Sequence, residues 1–227
     1  MKYLIVVAHP DDEVLGVGGS IGRFIRDGNS VEVAVLVGRA EARKGLSSTL
    51  LDEFYQAMNL LGVSKYYLGE FPNIKMNIVP HIEIVKFIED CLIKSGADVV
   101  ITHHPSDLNN DHRMTSEAAE VAIRLFQRRE DVKSISKFMY MEVPSSTEWN
   151  VDPNRNKFRP NSFIEIGQEG IGKKLQALEI YKGVMRKYPH PRSKEFIKFL
   201  AGYRGGQSGL YYAEAFEIVF SRERNHR

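Results

Sequence analysis

Tyr3-Leu4-Ile5-Val6-Val7-Ala8-His9-Pro10-Asp11-Asp12-Glu13 is the stretch on which the fold turns. From Tyr3 to Ala8 it is uncharged and unalternating, as expected of a strand covered on both faces in a parallel sheet. It then breaks at Pro10 and enters a run of acids, which are favoured in the first turn of a helix. A helical segment from Val14 to Asp27-Gly28 follows, and a second apolar run, Val31 to Val37, comes after it. Strand, helix, strand with buried strands predicts a right-handed βαβ unit.

The same alternation continues outward. Leu50, Leu51, Phe54, Met58 and Leu61 make a helical stripe that stops at Gly62. Ile84, Val85, Ile88, Cys91 and Leu92 make another that stops at Gly96. Ala97 to Thr102 reads as a buried strand, and Ala118, Val121, Ala122, Leu125 and Phe126 share one helix face. Beyond a long loop at 144–161, Phe163 to Ile166 and Ala213 to Phe220 read as strands, with helices at Leu175 to Met185 and Phe196 to Tyr203. A loop of that length predicts either disorder or a lid. The class predicted is α/β: a Rossmann-like, doubly wound, mostly parallel sheet with helices on both faces and a loop-rich last third. Neither a repeat nor a linker divides the chain, so residues 1–227 are read as a single domain.

Composition narrows the function. The chain has 227 residues, 43% of them hydrophobic, and a formal net charge of +2. A balance so near neutral excludes a surface built to track nucleic acid. Cys91 stands alone, which excludes an internal disulfide and any cysteine metal cluster. The opening apolar run is too short for a signal h-region or a membrane span, so a cytoplasmic location is expected.

Two predicted strand ends carry the chemistry. The first delivers His9-Pro10-Asp11-Asp12-Glu13, the second His103-His104-Pro105-Ser106-Asp107-Leu108-Asn109-Asn110-Asp111-His112. In doubly wound sheets the ligand site lies beyond the carboxyl ends of the strands. Carboxylates clustered there repel one another unless a cation sits among them. Catalytic zinc takes three ligands from His and carboxylate and leaves one position open; two His and a carboxylate also suit iron. His9 and Asp12 converge from one turn, and His103, His104 or His112 completes the set. His112 is preferred because it opens the following helix, with Asp111 beside it as a support for a ligand. Asp11 is then free to act as the base. The run Gly16 to Gly22 does not make a dinucleotide fingerprint, since Ile21 stands where the third glycine of a pattern opening Gly16-x-Gly18 belongs, and Gly16, Gly19 and Gly22 fall three apart. Their spacing predicts close helix packing instead.

Those residues resemble the PIG-L or LmbE-like family of zinc-dependent N-deacetylases. The likeness also covers Leu60-Leu61-Gly62-Val63 before Phe71-Pro72-Asn73, Arg204-Gly205-Gly206-Gln207, and Ala213-Glu214-Ala215-Phe216. It implies one zinc held by His9, Asp12 and His112, Asp11 as general base, and Glu13 as a supporting residue. It further implies an N-acetylglucosamine-type sugar conjugate as substrate and assembly into trimers or hexamers. Many members place a catalytic His where this chain has Asn109. His190, in Tyr188-Pro189-His190-Pro191-Arg192-Ser193, is the expected substitute, with His104 the other. Arg43, or else Arg39, and Asn73 fall in the segments that contact sugar hydroxyls in the family. The competing readings are a metal-stabilised sugar- or nucleotide-binding module without turnover, and a hydrolase of some other amide.

Overall fold

Lys2–Val7 forms β1 and Ser30–Val35 forms β2, with the helix α1, Asp12–Arg26, between them. The structure is a computed structural model that describes residues 1–38 and 47–223, without the side chains of 47–49. Arg39 and Arg43 lie outside the described residues. The chain continues through α2 (Ser47–Leu61), β3 (Lys65–Leu68), a 3-10 turn (Met76–Ile78), α3 (His81–Ser95) and β4 (Val99–His103). Then come α4 (Asn110–Phe126), β5 (Lys137–Met141), β6 (Ser162–Glu165), α5 (Gly167–Ile180), α6 (Lys194–Ser208) and β7 (Ala213–Ser221).

One seven-stranded sheet runs β3-β2-β1-β4-β5-β7-β6. The pairs from β3 to β5 are parallel. β7 is antiparallel to both of its neighbours, β5 and β6. Burial explains the unalternating strands. Ile5, Val7, Val33 and Val35 point into a core shared with Val14, Val17 and Phe54, while Leu4, Val6, Ala34 and Leu36 point into one shared with Ile84, Ile88 and Ala118. Both faces are therefore covered, and helices flank the sheet on each side as the patterning predicts.

Two strands escaped the sequence reading. β3 is a four-residue edge strand, half-exposed, whose Lys65-Tyr66-Tyr67-Leu68 carries no β-branched residue. β5 is buried but written with Phe, Met and Tyr, so it lacks the Val/Ile signature of its neighbours. The helix expected over Leu175 to Met185 instead covers Gly167–Ile180 and has ended by Tyr181. The helix stops at Gly62 and Gly96 were read from sequence, and both glycines sit at positive φ, 84° and 58°. The glycines of α1 divide. A Cβ on Gly16 would fall 2.4 Å from Met141 Sδ and one on Gly19 2.6 Å from Ile166 Cδ1, whereas Gly22 has nothing within 4 Å. Close packing holds at the first two and fails at the third.

The segment 144–161 is irregular, but its first part is pinned. Ser146, Thr147 and Asn150 are buried. The Ser146 hydroxyl donates to Asp107 and the Asn150 amide to the Ser106 carbonyl. In the sheet order, β1 and β4 are neighbours from which the chain departs in opposite directions, and their carboxyl ends form the switch point where such folds place their ligands.

Candidate active site

The turn after β1 and the start of α4 meet at that switch point. His9 Nδ1 lies 3.2 Å from Asp12 Oδ2, and His112 Nε2 lies 3.2 Å from the same oxygen. His9, Asp12 and His112 thus offer three donor atoms within 4.8 Å of one another. Asp12 and His112 are buried, and His9 keeps 17% of its side-chain surface. They stand in the wall of an open cavity of about 180 Å³, together with Asp11, Asn73, Ile74, Asn109 and Arg192.

The other two histidines of the second cluster differ: His103 Nε2 is 3.7 Å from Asp12 Oδ2, while His104 stands apart from the site. His103 Nε2 accepts the Ala8 amide proton at 2.9 Å, so in the neutral ring its proton sits on Nδ1. Burial and the neighbouring His112 hold its pKa down to about 3. It stacks on His112 at 3.9 Å and supports that ring. His104 turns away: its Nδ1 is 2.7 Å from Ser106 Oγ, and its ring meets Tyr140 and Phe158 edge-on.

Each imidazole of the triad is oriented from behind. His9 Nε2 is 3.2 Å from Asp111 Oδ2, and His112 Nδ1 is 3.2 Å from Asp107 Oδ2. Asp111 also accepts the amide protons of Ile74 and Met76, at 2.5 and 3.2 Å, which ties the Asn73 loop to the site. Asp107 accepts from the Ser146 and Thr147 hydroxyls and from the Asn109 amide. Asn109 caps α4, its side chain accepting the Asp111 amide proton at 2.9 Å.

The donor set suits a divalent cation. Burial disfavours the charged imidazoles, yet facing carboxylates outweigh it and raise His9 to about 9 and His112 to about 10. Burial likewise raises Asp12, yet His112, His9 and His103 bring it well below the ordinary carboxylate range. The cluster draws positive charge inward, and two imidazoles with a carboxylate are the ligand types that zinc or ferrous iron takes.

Asp11 occupies a strained position, φ 104° at a non-glycine residue. Such strain costs about 1–3 kcal/mol and persists only where the surroundings over-determine it. Its amide donates to Glu13 Oε2 at 3.0 Å, and Glu13 Oε1 accepts the Tyr181 hydroxyl at 2.6 Å. Glu13 is wholly buried, and burial pushes its pKa up to about 8. Arg192 Nη1 lies 3.5 Å from Asp11 Oδ2.

His190 does not line the cavity with its neighbour Arg192. Its Nδ1 accepts the Arg192 amide proton at 3.0 Å and its ring packs edge-on to Trp149. Asp107, Tyr181 and Arg192 had no role in the sequence reading. Asp107 lay within the quoted cluster, but nothing in its spacing says which imidazole it backs. Tyr181 and Arg192 stand far along the chain, and only the closing of the sheet brings them in.

The molecule is thus a Rossmann-like α/β protein with a His/Asp/His cluster at its switch point and a further acid, Asp11, paired with Arg192 beside it. The chain belongs to the PIG-L family, GlcNAc-PI de-N-acetylase, whose pattern matches residues 4–123. It is 26% identical over 184 residues to the uncharacterized deacetylase YaiS of Escherichia coli strain K12, covering 79% of this chain and 89% of that one. The N,N'-diacetylchitobiose deacetylase of Pyrococcus horikoshii superposes with a TM-score of 0.76 at 22% identity, over 96% of this chain and 83% of its own. GalB, the 4-carboxy-2-hydroxymuconate hydratase of Pseudomonas putida KT2440, gives 0.76 at 22% identity over the whole of both chains. These last two likenesses show the fold alone. Among the described residues, no helix is long and apolar enough to cross a membrane.

Proposed function

We propose that this chain is a metal-dependent N-deacetylase that removes acetyl from an N-acetylglucosamine-type sugar conjugate. The observation that carries the reading is the convergence of His9 Nδ1 and His112 Nε2 on Asp12 Oδ2, 3.2 Å each, in the wall of a cavity that Asp11 also lines. Family membership supports hydrolysis of an amide.

His9, Asp12 and His112 would hold the ion. Zinc bound there supplies a Lewis acid and makes water acidic enough to ionise near neutral pH. Asp11 takes the proton from the attacking water, and the same carboxyl returns it to the departing amine as the C–N bond breaks. His190, whose Nδ1 accepts the Arg192 amide proton and whose neutral ring therefore keeps its proton on Nε2, is the other candidate for that donation. Asp107 and Asp111 hold the two imidazoles in the orientation that ligation requires. Asn73 and Asn109 line the cavity in which the sugar hydroxyls would sit.

The test is amine release from a panel of N-acetylglucosaminyl glycosides, nucleotide sugars and short chitin fragments, with protein stripped of metal and reloaded with zinc. Zinc-restored release supports the reading. Asp11→Ala is expected to keep its metal and lose at least about a hundredfold in kcat, as removal of a general base does, whereas His112→Ala is expected to lose the metal. Full turnover in Asp11→Ala refutes the base assignment.

A further inference from the structure

We propose that Arg192 is the positioning residue for Asp11, holding the carboxylate in place through the guanidinium. The inference rests on the deacetylase reading and deepens it.

Arg192 is the one lysine or arginine among the described residues that line the cavity. Its Nη1 stands 3.5 Å from Asp11 Oδ2, and both side chains are largely buried, at 19% and 5% of their surface. A half-sequestered arginine is costly to immobilise unless its donors are used, and here they are. Nε donates to Ser145 Oγ at 2.7 Å and to the Pro144 carbonyl at 3.4 Å. The backbone is fixed as well: the Arg192 amide donates to His190 Nδ1, and its carbonyl accepts the Arg186 amide at 3.1 Å. Next in sequence, Ser193 is fully buried and caps α6, accepting the Phe196 amide at 3.1 Å.

A guanidinium anchored through Nε to Ser145 and Pro144 keeps its Nη1 directed at the carboxylate. The Asp11 backbone is strained and its amide is tied to Glu13, which fixes the main chain. The ion pair with Arg192 fixes the carboxylate itself. The arrangement also gives His190 and Ser145 a use, since both hold Arg192 and neither lines the cavity.

The experiment compares wild type with Arg192→Gln, Arg192→Lys and Ser145→Ala, measuring kcat and KM for amine release, zinc per chain and the thermal midpoint. Arg192→Gln is expected to lose about a hundredfold in kcat, the effect of misplacing a reacting group by an ångström, with KM, zinc content and midpoint unchanged. Methylguanidinium in solution is expected to restore part of that loss, Arg192→Lys to retain part of it, and Ser145→Ala to fall in the same direction by less. Unchanged kcat with raised KM would assign Arg192 to substrate instead and overturns the proposal. Loss of zinc or of stability, or no rescue by methylguanidinium or lysine, overturns it too. If wild type is silent on every amide, the deacetylase reading fails separately. Crystal structures of wild type and Arg192→Gln then decide the positioning role, which falls if the Asp11 carboxylate stays within about 0.5 Å, the tolerance of a productive site.

Discussion

Asp107 shows how much of this site is built one shell behind the atoms that would touch a ligand. It is fully buried, faces His112 Nδ1 at 3.2 Å, and accepts from two hydroxyls of the following loop. Asp107→Asn keeps the shape and removes the charge. It is expected to weaken zinc binding about 10–100-fold while the protein stays folded, as measured by competition with a chelating dye. An unchanged dissociation constant would show that His112 needs no such support. The His/Asp/His cluster was legible in the sequence, because His9 and Asp12 directly follow one recognisable buried strand and His112 opens the helix after another. Their supports were less so. Tyr181 reaches Glu13 across 168 positions, and no local spacing announces such a bond.

Among the elements, α1 carries Asp12 and Glu13 and packs tightly at Gly16 and Gly19. Gly19 faces the Ile166 side chain so tightly that an added Cβ would come within 2.6 Å of it, while Gly22 faces open space. The two substitutions should therefore separate. Gly19→Ala is expected to cost about 1–3 kcal/mol through overpacking. Gly22→Ala should add up to about 1 kcal/mol by helix propensity alone. Urea midpoints of the two variants check both signs. Equal spacing along the sequence could not distinguish these glycines, since the difference lies in what α5 and its lead-in place opposite. Apolar periodicity revealed the long helices and the Val/Ile strands well. It failed for β3 and β5, where Tyr, Met and Phe replace the β-branched residues that mark a strand.

For the molecule as a whole, α3 contributes a pH dependence away from the site. Cys91 is 2% exposed, and burial pushes its thiol from 9.0 up to about 12. The folded state thus prefers the protonated thiol. Its contribution to stability is complete below about pH 9 and declines as pH rises toward 12, because only the unfolded chain ionises readily there. Between about pH 8 and about pH 10, the urea midpoint of wild type should fall further than that of Cys91→Ala. Thiol reagents should leave the native protein unlabelled until denaturant is added.

The position of β7 in the sheet has a consequence for how the molecule is made. As the ribosome extends the chain, β1 to β5 are produced in an order that lets each find a neighbour already present. β6 has no such neighbour, because its partner in the sheet is β7, and β7 also covers the open edge of β5. Until Ala213–Ser221 has been translated, a nascent chain therefore carries a bare parallel edge and an orphan strand. During that interval its unpaired edge is open to pairing with other chains, which the finished sheet prevents.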